Sequence, residues 1–173
     1  RGDIAARYGL GYAPAGFQAL REAFPNYNDR ALEKAGLVAV NDGGRRYDRF
    51  RDRIMFPILD DAGSVIGFGG RVLEGDGPKY LNSPETEVFQ KGRVLFGLTQ
   101  AAEAIAATGA AYVVEGYLDV VSLAQHGVQN AVATLGTATT GQHVERLLGF
   151  AKRAIFCFDG DDAGRRAAAR ALD

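Results

Sequence analysis

The sequence predicts an α/β chain in two parts: an α+β amino-terminal part over residues 1–108, then a part built on a parallel sheet over residues 109–173. Two observations carry this. After residue 108, short β-rich runs alternate with helical stretches of about ten residues, the rhythm of βαβ units. Before it, two β-rich runs are joined by Asp61-Ala62-Gly63, a hairpin signal.

In chain order, residues 16–24 and 29–35 read as short helices, the second stopped by Gly36. Residues 54–60 and 64–70 are the arms of the hairpin, and residues 74–78 are a loop by composition. Gly67, Gly69 and Gly70 within the second arm imply a bulge or a close backbone approach. Residues 111–114 form a buried strand and 117–125 a helix, with Gly116 read as allowing a tight turn between them. Residues 130–133 form a second strand, Thr140 caps a helix running to about residue 149, 153–158 form a third strand and 163–172 a third helix. Crossovers between parallel strands of one sheet are right-handed.

Hydrophobic residues at 47% and charged residues at 24% describe a globular chain rather than a disordered one. Arg and Lys number 20 against 21 Asp and Glu, a net charge of -1 that excludes a uniformly basic coat but permits a local basic patch. Cys157 is the only cysteine, so an internal disulfide and a cysteine-based zinc cluster are excluded, and with two histidines a metal site must rely on oxygen ligands. No apolar run approaches the ~20 residues of a membrane span. The expected setting is reduced and cytoplasmic, without a membrane partner. The start at Arg1 and the end inside a helical run read as a piece of a longer polypeptide.

Acidic residues fall where the alternation puts strand ends. Glu115 follows the first strand of the second part, and Asp159, Asp161 and Asp162 follow the third. Ligands of open parallel sheets bind outside the carboxyl ends of the strands, so Glu115 and Asp159 face one edge, with Asp119 one helical turn further on. Carboxylates packed together repel unless a cation neutralises them, and hard oxygen ligands suit Mg²⁺ or Mn²⁺. The alternative for Asp161 or Asp162 is a helix cap or a first-turn charge. A calcium loop does not fit, because Ala163 and Arg170 occupy ligand positions.

These residues carry a resemblance. Val114-Glu115-Gly116-Tyr117-Leu118-Asp119 with Phe158-Asp159-Gly160-Asp161-Asp162-Ala163-Gly164 resembles the toprim domain of topoisomerases and primases, and Ala133-Thr134-Leu135-Gly136-Thr137-Ala138 fits the loop between those motifs. Upstream, the chain looks like the bacterial replicative primase family (DnaG type) at Leu10-Gly11-Tyr12-Ala13-Pro14, at Arg49-Phe50-Arg51-Asp52-Arg53-Ile54-Met55-Phe56-Pro57-Ile58, at Gly67-Phe68-Gly69-Gly70-Arg71 and at Pro78-Lys79-Tyr80-Leu81-Asn82-Ser83-Pro84-Glu85-Thr86. The resemblance covers essentially the whole chain. It implies a partial, Rossmann-like toprim subdomain after an α+β basic subdomain. It implies a DNA-dependent RNA polymerase that makes RNA primers from NTPs on a single-stranded DNA template, with Mg²⁺ or Mn²⁺ as cofactor and a replicative helicase as partner. The family's zinc-binding and helicase-binding domains, and a further acidic pair after the next strand, are absent from this sequence. By the same resemblance Glu115, Asp159 and Asp161 are catalytic, Glu115, Asp119, Asp159 and Asp161 hold metal, and Arg71, Lys79 and Lys91, with Tyr80 and Asn82, meet template or nucleotide phosphates.

Nucleotidyl transfer leaves little covalent work to the protein, so no Ser, Cys or His nucleophile is required. Ser83 and Ser122 have no His nearby in sequence, and His126 and His143 read as surface residues near helix ends. Between Arg45 and Arg53 five arginines stand among Tyr47 and Phe50, an array that can bind a single strand by phosphate attraction and base stacking, or be a solvated face in which Arg49 or Arg53 pairs with Asp52 or Asp48. Another toprim enzyme, a nuclease or topoisomerase, and a nucleic-acid-binding module without activity are the competing readings. The upstream blocks weigh against the two enzymes.

Overall fold

The computed structural model describes residues 1–74, 77–136 and 138–172. Gly75 and Asp76 of the expected loop, Thr137 and Asp173 lie outside the described residues. In chain order the elements are α1 (Gly2–Arg7), β1 (Gly11–Ala13), a single 3-10 turn (Ala19–Arg21), α2 (Arg30–Lys34), β2 (Val38–Val40), β3 (Arg46–Asp48), β4 (Arg53–Leu59), β5 (Val65–Val72), β6 (Tyr80–Asn82), α3 (Leu98–Thr108), β7 (Ala110–Val114), α4 (Tyr117–Gln125), β8 (Ala131–Ala133), α5 (Gly141–Leu148), β9 (Arg153–Phe156) and α6 (Asp162–Leu172).

The expected hairpin is the centre of an antiparallel sheet ordered β1-β4-β5-β6, while β2 and β3 form a separate ribbon. Its turn is closed by Asp60, whose Oδ1 accepts the main-chain N–H groups of Ala62 and Ser64 at 3.0 and 2.8 Å. Gly63 takes φ +81°, the left-handed conformation that glycine adopts without strain. In the second part β7 runs parallel to β8 on one side and β9 on the other, as the alternation predicts. The chain is α/β, with an antiparallel subdomain followed by a parallel one.

A shared core joins the parts. Phe56 and Ile58 of β4 are fully buried against Phe96, Val114, Tyr117, Val120, Ala133 and Leu135. A second cluster packs Leu98, Ala101 and Ile105 of α3 on Ala111, Val113 and Val132 of the parallel sheet and on Leu147 of α5. Thus α3, which ends at Thr108 and so belongs to the expected first part, lies on β7 and β8. The segment before it is tied to β8 as well, because Phe96 and Ala133 exchange main-chain hydrogen bonds of 2.8 and 3.1 Å.

Three local readings are corrected. The helix expected over 16–24 is reduced to the 3-10 turn because tertiary bonds claim its backbone. Leu20 N–H donates to Asp48 Oδ2 at 2.9 Å, and Phe17 O accepts from Asp48 N–H at 2.7 Å. Gly116 has extended backbone (φ -151°, ψ 173°), so its conformation does not demand glycine. His143 is not a surface residue: it is 1% exposed, at the third position of α5. Its Nδ1 accepts Thr140 N–H at 3.1 Å and its Nε2 faces Lys91 O at 2.8 Å. One protonation state satisfies both contacts, the neutral imidazole with its proton on Nε2.

Burial holds the His143 imidazole below its ordinary pKa. A protonated ring would also turn an N–H toward Thr140 N–H. Because the folded value lies below the unfolded one, the contribution of His143 is complete above about pH 6.5 and is lost as pH falls toward the folded value. Urea unfolding at pH 7.5 and pH 5.5 is therefore expected to show a greater loss of stability in the parent than in His143→Leu. Equal losses would show that this ring is not the source.

Candidate active site

Residues from both parts line one cavity of about 430 Å³: Lys79, Tyr80 and Asn82 of the β6 region, Glu115, Tyr117 and Asp119 at the end of β7 and the start of α4, Thr134 and Gly136 after β8, and Asp159 after β9. The parallel topology brings this about, since β7, β8 and β9 all release their chains at the same edge.

The acidic side is built on local hydrogen bonds. Glu115 Oε1 accepts Asp159 N–H at 2.8 Å, tying the end of β7 to the loop after β9. Asp119, third residue of α4, accepts Gly116 N–H at 3.0 Å, a contact that also offers a negative charge to the helix amino terminus. Asp161 stands apart from the residues lining the cavity. Its Oδ1 accepts Gly164 N–H at 2.8 Å, which caps α6. A Cβ on Gly164 would overlap the Asp159 carbonyl, so this glycine lets α6 start directly beneath the Asp159 loop.

Tyr117 fills the space between the acidic and basic sides. Its ring stacks on Phe56 at 5.1 Å, meets Phe96 edge-on at 5.0 Å and lies 6.2 Å from Tyr80. Burial pushes its hydroxyl well above the ordinary tyrosine pKa. The ring fits because β5 has glycine beneath it: a Cβ on Gly69 would come within 2.5 Å of Tyr117 Cζ. Gly70 similarly makes room for Phe50. Sequence reading explained these glycines by close approach but did not find Tyr117. The signal was an aromatic residue directly after the Glu-Gly pair.

On the basic side, Asn82 Nδ2 donates to Leu135 O at 2.9 Å, fastening β6 to the loop after β8. Lys79 Nζ lies 5.8 Å from the Tyr80 ring. Arg71 sits opposite Tyr80 in the β5–β6 ladder, and its Nε is buried without a partner among the described residues. Lys91 is outside the cavity lining, on the segment between β6 and α3, where its N–H donates to Glu85 Oε1 at 3.1 Å. Among the described residues neither Arg49 nor Arg53 pairs with an aspartate. Arg49 donates to Asn82 O and Arg53 to Pro78 O, so both brace the approach to β6.

A separate cavity of about 770 Å³ is lined by Arg45, Arg46, Arg51, Tyr47 and Phe17, among others. Arg51 lies over Phe17 at 4.7 Å and over Tyr47 at 5.1 Å. Phe17 is 67% exposed, while Phe50, expected among these arginines, is buried at 6%. The sequence run identified the arginines, and only folding brings Phe17 to them.

The donors of the first cavity suit a hard cation, being carboxylate oxygens without nitrogen or sulfur. Among the described residues Glu115 Oε2, Asp119 Oδ1 and both oxygens of Asp159 carry no protein hydrogen bond. Among the same residues no three ligands are gathered closely enough to enclose an ion. The chemistry of the donor set therefore fits, and Glu115, Asp119 and Asp159 would have to draw together around the ion.

Residues 1–102 match the family described as DNA primase catalytic core, N-terminal domain, and residues 112–173 the family described as Toprim-like. The DNA primase of Legionella pneumophila is 57% identical over 99% of this chain and 30% of its own length, and that of Escherichia coli K12 is 52% identical over the same shares. A DNA primase domain from Pseudomonas aeruginosa superposes with a TM-score of 0.93 at 55% identity, over 99% of this chain and 54% of that one. A DnaG primase catalytic domain bound to ssDNA gives 0.92 at 50% identity, over 99% and 54%. The chain spans about 30% of the length of these curated relatives.

Gly164→Ala is expected to destabilise the protein by about 1–3 kcal/mol, as a methyl forced into a packed backbone contact does. Urea denaturation measures it. Parent-like stability would mean that α6 does not depend on the close approach to Asp159.

Proposed function

Because the chain belongs to the bacterial DnaG-type DNA primase family, as part of its catalytic core, we propose that in the whole protein it synthesises short RNA primers from NTPs on single-stranded DNA. The observation that carries the reading is the cavity in which a carboxylate group from the parallel sheet meets Lys79, Tyr80 and Asn82 from the antiparallel one. Anionic triphosphate needs the second set, and a hard cation needs the first.

In the proposed step the 3'-hydroxyl oxygen of the primer bonds to the α-phosphorus of an NTP and pyrophosphate leaves. Glu115, Asp119 and Asp159 would hold Mg²⁺ or Mn²⁺, which when bound would supply positive charge to ease loss of the hydroxyl proton and offset the leaving charge. Asp161, whose Oδ1 caps α6, would join them through its other carboxylate oxygen. Arg71, Lys79 and Lys91 hold phosphates, with Tyr80 and Asn82 bordering the nucleotide. The template strand runs over Arg45, Arg51, Tyr47 and Phe17, where guanidinium groups meet phosphates and exposed rings take bases. A replicative helicase is engaged through a segment outside this chain. No helix among the described residues is long and apolar enough to cross a membrane, and the reading places the protein with the chromosome in the cytoplasm.

Template-dependent incorporation of labelled NTP by the whole protein tests the proposal. Glu115→Gln is expected to reduce it by about 100-fold or more, as removal of charge stabilisation at a transferring group does. Its melting temperature should hold or rise in metal-free buffer, since one of the clustered negative charges is gone. Normal synthesis in that variant would remove Glu115 from the catalytic role.

Template binding makes a second expectation. Arg51→Ala should weaken single-stranded DNA binding alike on all sequences and flatten its log–log salt dependence by about 0.7 for each phosphate that is no longer neutralised. Binding isotherms at several salt concentrations decide this. An unchanged slope would move the template path off this cavity.

A further inference from the structure

The cavity of about 770 Å³ beside the β2–β3 ribbon contains groups that phosphate binding does not require. Its lining holds three arginines, two aromatic rings and two carboxamides, Gln18 and Asn41, with no carboxylate. The arginines differ in their commitments. Arg46 is engaged inside the fold, on Glu33 at 3.0 Å and on Asp29 O at 3.1 Å. Arg51 donates to Asp48 O at 2.6 Å and lies over both Phe17 and Tyr47. Arg45 carries no side-chain hydrogen bond among the described residues.

Each carboxamide is held at one end only. Asn41 Oδ1 accepts Arg45 N–H at 2.9 Å across the β2–β3 turn, and Gln18 Nε2 donates to Arg46 O at 3.0 Å. These partners settle which end of each amide is which, because an N–H needs an oxygen and a carbonyl needs a donor. One donor, Asn41 Nδ2, and one acceptor, Gln18 Oε1, are left without a protein partner among the described residues. The main chain around them is fastened as well. Asn41 N–H donates to Arg45 O at 3.1 Å, and Phe17 O accepts Asp48 N–H at 2.7 Å. Groups held on such a frame present their free ends at defined points.

A ligand that uses all of these groups is flat, to lie on an aromatic face, and carries hydrogen-bonding atoms on its edge. It also hangs from an anionic chain, to suit arginines with no carboxylate beside them. An unpaired nucleobase of a single strand has each property. The cavity volume lies in the ~300–1,000 Å³ range of small-ligand sites.

We propose that Asn41 and Gln18 read the edge of one unpaired template base that stacks on Phe17, so that this cavity is a specificity-determining site for the template. The inference rests on the template path in the reading above and adds a sequence preference to it. Arg45 and Arg51 act on phosphates and carry no sequence information, whereas the two amides do.

The test is equilibrium binding of the whole protein to oligo-dT, oligo-dC, oligo-dA and an abasic strand, all of one length and at one salt concentration. The parent is expected to separate the three base-bearing strands by about threefold to tenfold. Phe17→Ala, at a largely exposed ring, should weaken all three about fivefold or more and leave the abasic strand within about twofold, since the ring takes bases and not phosphates. Asn41→Asp keeps the oxygen that holds Arg45 N–H and puts an acceptor where the donor was. Its added charge weakens every strand, so the abasic strand is the reference. Against it the preference should shift at least about threefold toward dC and dA, whose exocyclic amino groups donate to a carboxylate. Gln18→Met should narrow the parent's spread to within about twofold. Should Asn41→Asp disturb the turn, Gln18→Met decides the question alone. A parent that binds the three strands alike, a Phe17→Ala that loses as much affinity for the abasic strand, or folded amide variants that keep the parent's order and spread would each overturn the assignment. A parent without affinity for any single-stranded DNA would instead overturn the template path of the functional reading.

Discussion

Tyr117 lies against Gly69, and this contact sets how near the two halves of the molecule approach. The ring is held between Phe56 of the antiparallel sheet and Phe96 at the edge of the parallel one. Each such aromatic pair contributes about 0.5–1.5 kcal/mol beyond the area it buries. Tyr117 is also the first residue of α4, directly after Glu115 and Gly116. The side chain that closes the core therefore shares a short segment with the carboxylate at the cavity. Any residue larger than glycine at position 69 would push the ring, and with it the acidic edge, away from β6.

The electrostatic logic follows from that closeness. A carboxylate edge alone would repel both template and nucleotide. The chain has a net charge of -1, so no general positive field compensates. Among the described residues Lys79 is the one cation lining the cavity, whereas the arginine-rich cavity is separate and carries its own aromatics. Under the proposed reading the cation requirement of the reacting centre is met by the metal together with Arg71, Lys79 and Lys91, and the longer strand is held elsewhere by arginine and stacking.

What the sequence revealed depended on how local each signal was. The βαβ rhythm, the Thr140 cap and the Asp61-Ala62-Gly63 turn are written in neighbouring residues, and the corresponding elements stand within a residue or two of expectation. Residues 16–24 have helical composition but give their backbone bonds to Asp48, a partner about thirty positions away. His143 has the composition of a surface position, yet it is buried because Lys91 O, on a different segment, waits for its proton. The carboxylates Glu115, Asp119 and Asp159 were legible because strand ends collect at one edge. Tyr117 and Phe17 were not, since their roles depend on packing between distant segments. Asp161 had two sequence meanings, and its bond to Gly164 is that of the cap.

The central claim is that the acidic and basic sides work as one site only while Tyr117 is seated over Gly69. It is tested most directly by NTP incorporation and template binding in the whole protein carrying Gly69→Ala, measured at a temperature where circular dichroism shows the variant folded. The overpacking should cost about 1–3 kcal/mol of stability. The account predicts at least a tenfold loss of incorporation, with affinity for single-stranded DNA within about threefold of the parent. Incorporation at the parent's rate in a folded Gly69→Ala protein would contradict it.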